Sequence, residues 1–89
     1  MSAIQVISDS TQSYETLGNT YRLIELATEK HSLVIQFVSG NQNYVTVIVN
    51  NASHRAWKKF GKDFPTVEDA INNYKTAAIR QIIEFAATL

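Results

Sequence analysis

Two segments in the middle of the chain alternate apolar and polar positions as β-strands do. Residues 33–38 are rich in β-branched and aromatic side chains, and residues 44–50 place Val45, Val47 and Val49 on one face. The five residues between the two runs, 39–43, are of types that favour turns. We therefore expect an antiparallel hairpin whose valine face is buried.

The end of the chain predicts a long helix. Thr66 suits the N-cap, Asp69 occupies the capping-box position, and neither Gly nor Pro occurs after Thr66. Apolar residues recur at spacings of three and four, which places them on one helical stripe. They are Val67, Ile71, Tyr74, Ala78, Ile82, Phe85 and Leu89. The pattern predicts one helix over residues 67–88, packed on the sheet.

This predicted helix is longer than the strands beneath it. Its 22 or so residues span about 33 Å, whereas strands of six or seven residues span about 20–23 Å. In the part that extends past the sheet, a second apolar stripe lies beside the first, and a helix earlier in the chain or a second copy must cover it. The oligomer interface that we predict consists of Ile79, Ile82, Ile83 and Ala86.

The N-terminal third allows two interpretations. Residues 3–7 form a short β-type run, and residues 11–30 favour a helix because apolar side chains recur there at spacings of three and four. Gly18 and Asn19 would weaken such a helix, and the alternative is a strand over residues 20–28. With a further strand near residues 55–60, the sequence predicts a small α+β domain. The alternative interpretation gives four strands followed by a helix.

Composition supports a single folded domain over residues 1–89. The chain is 45% hydrophobic and 18% charged, and it is too short for two independent cores. It has no cysteine, which excludes disulfides, a thiol nucleophile and thiolate-bound zinc. The first residues lack the basic and apolar regions of a signal peptide, and no apolar run is long enough to span a membrane. We expect a cytoplasmic protein without a membrane partner.

Candidate catalytic groups are scattered. His31 and His54 lack metal-ligand spacing to a second histidine, and nothing in the spacing of Asp9 or Glu15 pairs either acid with a base. No glycine-rich phosphate loop or nucleophile motif occurs. We therefore expect no enzymatic activity, no catalytic residue, no bound metal and no cofactor.

The zero net charge conceals a basic segment. Residues 54–62 hold four Lys and Arg side chains and no acid, and the chain on each side of them is acidic. Cations neutralise phosphates and aromatic rings stack on bases, so residues 54–64 suit nucleic acid. The predicted contacts are Arg55, Trp57, Lys58, Lys59, Phe60 and Lys62. The alternative, that Trp57 and Phe60 belong to the core, stays open.

Two architectural resemblances accompany this basic segment. Strands, a basic aromatic stretch, Phe64-Pro65-Thr66 and then a helix resemble the integrase arm-type DNA-binding domains. If residues 20–28 form a strand, the order is similar to the Whirly-type single-stranded-DNA-binding fold, which implies association of subunits through their helices. The leading hypothesis is a small, non-enzymatic and oligomeric binding module that contacts nucleic acid. The alternative is a protein-interaction or inhibitor module that uses the apolar surface of the C-terminal helix.

Overall fold

The computed structural model describes residues 3–51 and 61–89. Within them, five strands precede two helices and form one antiparallel sheet in chain order. The strands are β1 (Gln5–Tyr14), β2 (Asn19–Ala27), β3 (His31–Gly40), β4 (Tyr44–Asn51) and β5 (Lys62–Phe64). The helices are α1 (Val67–Asn73) and α2 (Ala77–Ala87). The predicted α+β fold and the predicted hairpin of 33–38 with 44–50 are confirmed.

The hydrophobic core lies between one face of the sheet and the two helices. The register places Ile24 of β2 beside Ile35 of β3, and Ile35 beside Val47 of β4. These three side chains are at most 2% exposed, and Val45 is 5% exposed. The predicted burial of the valine face is therefore confirmed. The helices complete the core with Ala70, Ile79, Ile82, Ile83 and Ala86.

The helix expected over residues 11–30 is wrong, and the alternative strand over residues 20–28 is close to the observed β2. Gly18 adopts φ of +68° in the turn after β1, and its N–H donates to the Tyr14 carbonyl at 2.9 Å. Ile24 and Leu26, two residues apart, both point into the core and are fully buried. Strand pairing on both sides of β2 and this burial outweigh the helix propensity of the segment.

Two strand predictions have different outcomes. The strand expected at residues 3–7 is present but extends much further, to Tyr14, because β1 pairs with β2 along its length. The strand expected at residues 55–60 lies outside the described residues. After that segment, the short β5 pairs with β4, with Phe64 beside Val45.

The single helix expected over residues 67–88 is wrong, because the chain leaves the helical conformation at residues 74–76. Tyr74 is extended, with φ of −103° and ψ of 135°, and its ring packs edge-on against Phe64 at 6.2 Å between centroids. The preceding Asn72 and Asn73 are weak helix formers. The break lets α1 pack on β4 and β5 while α2 packs on β2 and β3. No part of a continuous rod therefore extends past the sheet.

The break also changes which side of the C-terminal helix is buried. Phe85 and Leu89, expected on the core stripe, are 37% and 43% exposed, whereas Ile79 and Ile83 of the second stripe are buried. The extended residues between α1 and α2 interrupt the helical phase, so one stripe cannot continue from Val67 to Leu89.

Neither α1 nor α2, the helices of the described residues, is long and apolar enough to cross a membrane.

Candidate functional site

A depression lies on the face of the sheet turned away from the helices. Its volume is about 360 Å³, and it is open to the surroundings. Side chains from β1, β2 and β3 and from the turn between β1 and β2 line it. They are Ser10, Gln12, Tyr14, Leu17, Tyr21, Leu23 and Gln36.

The strand register brings these residues together. Leu23 lies between Ser10 of β1 and Gln36 of β3, and Tyr21 lies beside Gln12. Side chains directly opposite each other in antiparallel strands share a face, and every second residue along a strand returns to that face. The depression is therefore a direct consequence of the pairing of β1, β2 and β3.

Two tyrosines form one side of the depression. The rings of Tyr14 and Tyr21 pack edge to face, with centroids 5.5 Å apart and an interplanar angle of 73°. The Tyr14 hydroxyl donates to Oε1 of Gln12 at 2.6 Å, which orients the ring. Tyr14 is 47% exposed, and Leu17 and Leu23 beside it are 56% and 43% exposed. A partner can therefore contact an aromatic ring and two aliphatic side chains at one place.

Hydrogen bonds between two turns hold the rim of the depression. Asn19 is buried, its Oδ1 accepts the Gln42 N–H at 3.0 Å, and its Nδ2 donates to the Tyr21 hydroxyl at 3.4 Å. Asn41 donates from Nδ2 to the Leu17 carbonyl at 3.2 Å. These bonds join the turn after β1 to the turn after β3, so Leu17 and Tyr21 are positioned before any partner arrives.

The described residues that line the depression include no Asp, Glu, Lys or Arg. In the described strands, the basic residues Arg22 and Lys62 lie on the helix side of the sheet. Arg22 is in the same cross-strand row as Val45, and Lys62 pairs with Val47. The described strands therefore place no Lys or Arg on the open face, where such a side chain would attract a phosphate group. The chemistry of the depression is that of aromatic, aliphatic, hydroxyl and amide groups.

Most of the predicted nucleic-acid contacts lie outside the described residues. They are Arg55, Trp57, Lys58, Lys59 and Phe60. Lys62 is described and exposed. Its Nζ donates to Asn73 Oδ1 at 3.0 Å and lies 5.7 Å from the ring centroid of Phe64. Phe64 is only 6% exposed, so its ring is a core group and is covered within the chain.

The four residues of the predicted oligomer interface, Ile79, Ile82, Ile83 and Ala86, are at most 8% exposed and pack in the core of a single chain. The apolar surface that led to this prediction is thus covered by the sheet. Whether the protein forms an oligomer stays a prediction.

Among the residues that the structure describes, the candidate catalytic groups do not converge. Asp9 is held by Arg22 on the helix side of the sheet, and His31 begins β3. No group of three or more His, Asp or Glu side chains suited to a metal ion occurs among residues 3–51 and 61–89. The structure therefore brings together aromatic and aliphatic contacts rather than titratable ones.

Sequence reasoning missed the depression because the helical interpretation of residues 11–30 placed Tyr14, Leu17 and Tyr21 on one face of a helix rather than on a sheet. The signal that identifies it is the strand alternation Ser10, Gln12 and Tyr14 before the Gly18 turn. Comparison of the chain with protein-family models, with characterised proteins and with solved structures finds no match.

Proposed function

We propose that this protein is a small, non-enzymatic protein-interaction module that binds its partner in the depression on the open face of the sheet. The observation that carries the proposal is the exposed grouping of Tyr14, Leu17 and Leu23 around an uncharged hollow. Tyrosine is enriched among the residues that dominate binding energy in protein interfaces, and grouped exposed apolar side chains are typical of interaction sites. Mixed tyrosine, serine and amide surfaces also provide adaptable hydrogen bonds.

The shape of the depression favours a protein partner over a small molecule. Small-molecule sites bury about 70–90% of the ligand surface. A hollow formed on one face of a sheet, and open to the surroundings, leaves part of a bound ligand exposed. It suits one projecting side chain of a partner, with the surrounding polar groups forming the rim of the interface.

Nucleic-acid binding through residues 54–64 is the second candidate function. The observation in its favour is the run of four basic residues without an acid in 54–62, of which Lys62 is exposed in the structure. It predicts affinity that falls steeply with salt. A cytoplasmic location and a homodimeric state, both predicted from the sequence, are compatible with either function.

A retention experiment tests the leading proposal. The wild-type protein is immobilised and exposed to nuclease-treated lysate, beside a Leu17→Ser/Leu23→Ser variant and a Lys58→Ala/Lys59→Ala variant. We expect proteins retained by the wild type and by the lysine variant to be lost from the leucine variant, because Leu17 and Leu23 line the depression. Equal retention by all three would contradict the proposal. Circular dichroism spectra of the leucine variant and of the wild type are compared as a control, and matching spectra show that the variant is folded.

Fluorescence anisotropy separates the two functions. Short single- and double-stranded DNA and RNA are titrated at about 50 mM salt, where phosphate contacts are strong. The interaction-module proposal predicts no binding that depends on Lys58 and Lys59. Binding that weakens with salt and is lost in Lys58→Ala/Lys59→Ala would favour the nucleic-acid function instead.

A further inference from the structure

The outer edge of β1 is longer and carries less charge than the strand at the other end of the described sheet. β1 has ten residues, all exposed, and contains no lysine, arginine or proline. At the other end of the strand order, β5 has three residues, carries Lys62 and Asp63 and is followed directly by Pro65. Short length, charge and proline discourage further pairing, whereas a long edge with a single charged residue offers free backbone groups to another strand. Of these two strands, β1 is thus the one open to pairing.

The one charged residue of β1 is neutralised within the chain. Asp9 forms an ion pair with Arg22 of β2, with Nη2 and Oδ2 2.7 Å apart. A second strand that approaches β1 therefore meets no uncompensated charge. Two identical β1 edges can approach each other without the repulsion that facing acids would cause.

We propose that β1 pairs antiparallel with β1 of a second copy of this chain, about a twofold axis at Thr11. The register of β1 with β2 shifts between Val6 and Ser8, which leaves Ser8–Tyr14 as the regular part of the strand. Thr11 is its midpoint, and twofold pairing about this residue uses the whole regular part. Opposite residues in an antiparallel pair share a face, whereas successive residues of one strand point to opposite faces. The twofold axis must therefore pass through a residue position, because an axis between two residues would place residues of opposite faces against each other.

The register that follows is complementary to itself. Thr11 lies opposite the partner's Thr11, and Asp9 lies opposite the partner's Ser13 rather than another carboxylate. The remaining pairs are Ser10 with the partner's Gln12 and Ser8 with the partner's Tyr14. Every pair contains a hydroxyl group, and the Thr11 pair at the axis is of the Thr–Thr type that stabilises antiparallel strands. This match is the reason to identify the occupant as a second copy.

The twofold pairing closes the assembly. Each copy uses the same strand, so the interface is isologous and produces a dimer rather than a fibre. The helices of both copies then lie on one side of a continuous sheet and the two depressions lie on the other. Their centres are about 15 Å apart, three strand spacings. The dimer uses the edge of β1 and does not depend on the function proposed for the depression.

Sedimentation equilibrium tests the dimer with two charge variants. Thr11→Lys places two lysines face to face at the axis, and we expect its dimer dissociation constant to rise about fivefold at low salt. Ser13→Lys faces the partner's Asp9, and we expect dimerisation to be retained. A monomeric wild type at all concentrations, or equal dimerisation of wild type and Thr11→Lys, would overturn the proposal. Equal weakening of both variants would overturn the register.

Cysteine crosslinking tests the register directly, because the chain has no native cysteine. Opposite residues have Cβ atoms about 4.5–5.5 Å apart, close to the Cβ separation of a disulfide, about 3.5–4.5 Å. We expect Thr11→Cys to form a disulfide-linked dimer under mild oxidation, and Asn43→Cys, exposed in the turn after β3, to remain monomeric. Equal crosslinking of the two variants, or no crosslinking of Thr11→Cys, would overturn the pairing about Thr11.

Discussion

Arg22 of β2 joins Asp9 of β1 to the end of the chain. Its Nε and Nη2 donate to the two carboxylate oxygens of Asp9 at 3.0 and 2.7 Å, while Nη1 donates to the main-chain oxygen of Leu89 at 2.8 Å. One guanidinium therefore links the edge strand, its neighbour and the segment after α2. The planar fork of arginine suits such a bidentate contact.

This ion pair makes stability depend on pH. Hydrogen bonds from Arg22 lower the pKa of Asp9 below its ordinary value of 3.8. The resulting stabilisation is complete above the ordinary pKa and is lost as the pH falls through the lowered pKa of the folded state. We expect Asp9→Asn to reduce the free energy of unfolding at neutral pH, and the difference from the wild type to vanish in acid. Urea denaturation across a pH series measures the difference in unfolding free energy between the two proteins. A difference that persists unchanged in acid would contradict a stabilising role of the ion pair between Asp9 and Arg22.

The N-cap of α1 provides a matched pair of threonine variants. The Thr66 hydroxyl accepts the Asp69 N–H at 3.1 Å, whereas Thr76, the N-cap of α2, makes no side-chain cap bond. We expect Thr66→Ala to lower the free energy of unfolding by about 1 kcal/mol, and Thr76→Ala to have a clearly smaller effect. Chemical denaturation compares them. Equal losses would show that the cap bond of Thr66 does not stabilise the fold.

Ile82 tests the packing of α2 on the sheet. Its side chain is fully buried in the core, whereas the adjacent Gln81 is exposed. We expect Ile82→Ala to cost about 2–5 kcal/mol, because it removes buried methyl groups and leaves a cavity. Gln81→Ala, the control in the same turn, should change stability by less than about 0.5 kcal/mol. A loss of similar size in both variants would contradict burial of Ile82 against the sheet as the cause, because alanine raises helix propensity at both positions.

Gly40 tests the packing between the two turns at the rim of the depression. Its φ is +124°, and a Cβ added there would meet the main-chain oxygen of Gly18. We expect Gly40→Ala to destabilise the protein by more than about 1 kcal/mol. Gln42→Ala in the same turn, where the side chain is exposed, is the control. A thermal or urea transition unchanged by Gly40→Ala would contradict the close approach of the turns.

Sequence reasoning succeeded where local pattern and final burial agree. The alternation of Val45 and Val47 is strong enough to define a strand and its buried face, and Thr66 with Asp69 defines a helix start. It failed over residues 11–30, where the spacing of Tyr14, Leu17 and Tyr21 fits a helix as well as a hairpin. Only pairing of β2 with β3 makes the strand more favourable, and that pairing joins residues far apart in sequence.

The break between α1 and α2 could not be read from the sequence for the same reason. No glycine or proline marks it, and Tyr74 fits the helical stripe. The break accompanies packing on different strands, since α1 contacts β4 and β5 whereas α2 contacts β2 and β3. The overhang that suggested an interface at Ile79 and Ile83 is removed by this rearrangement.

Local patterns in the sequence are enough to predict the α+β class, the central hairpin and its buried valine face, because short-range periodicity specifies them. Capping chemistry in the same way specifies the N-cap at Thr66. The tertiary structure decided that residues 5–27 form two strands, that the C-terminal helix divides and that Tyr14, Leu17 and Leu23 surround an open depression. These outcomes depend on long-range strand pairing and on burial against the sheet, which local propensity does not contain.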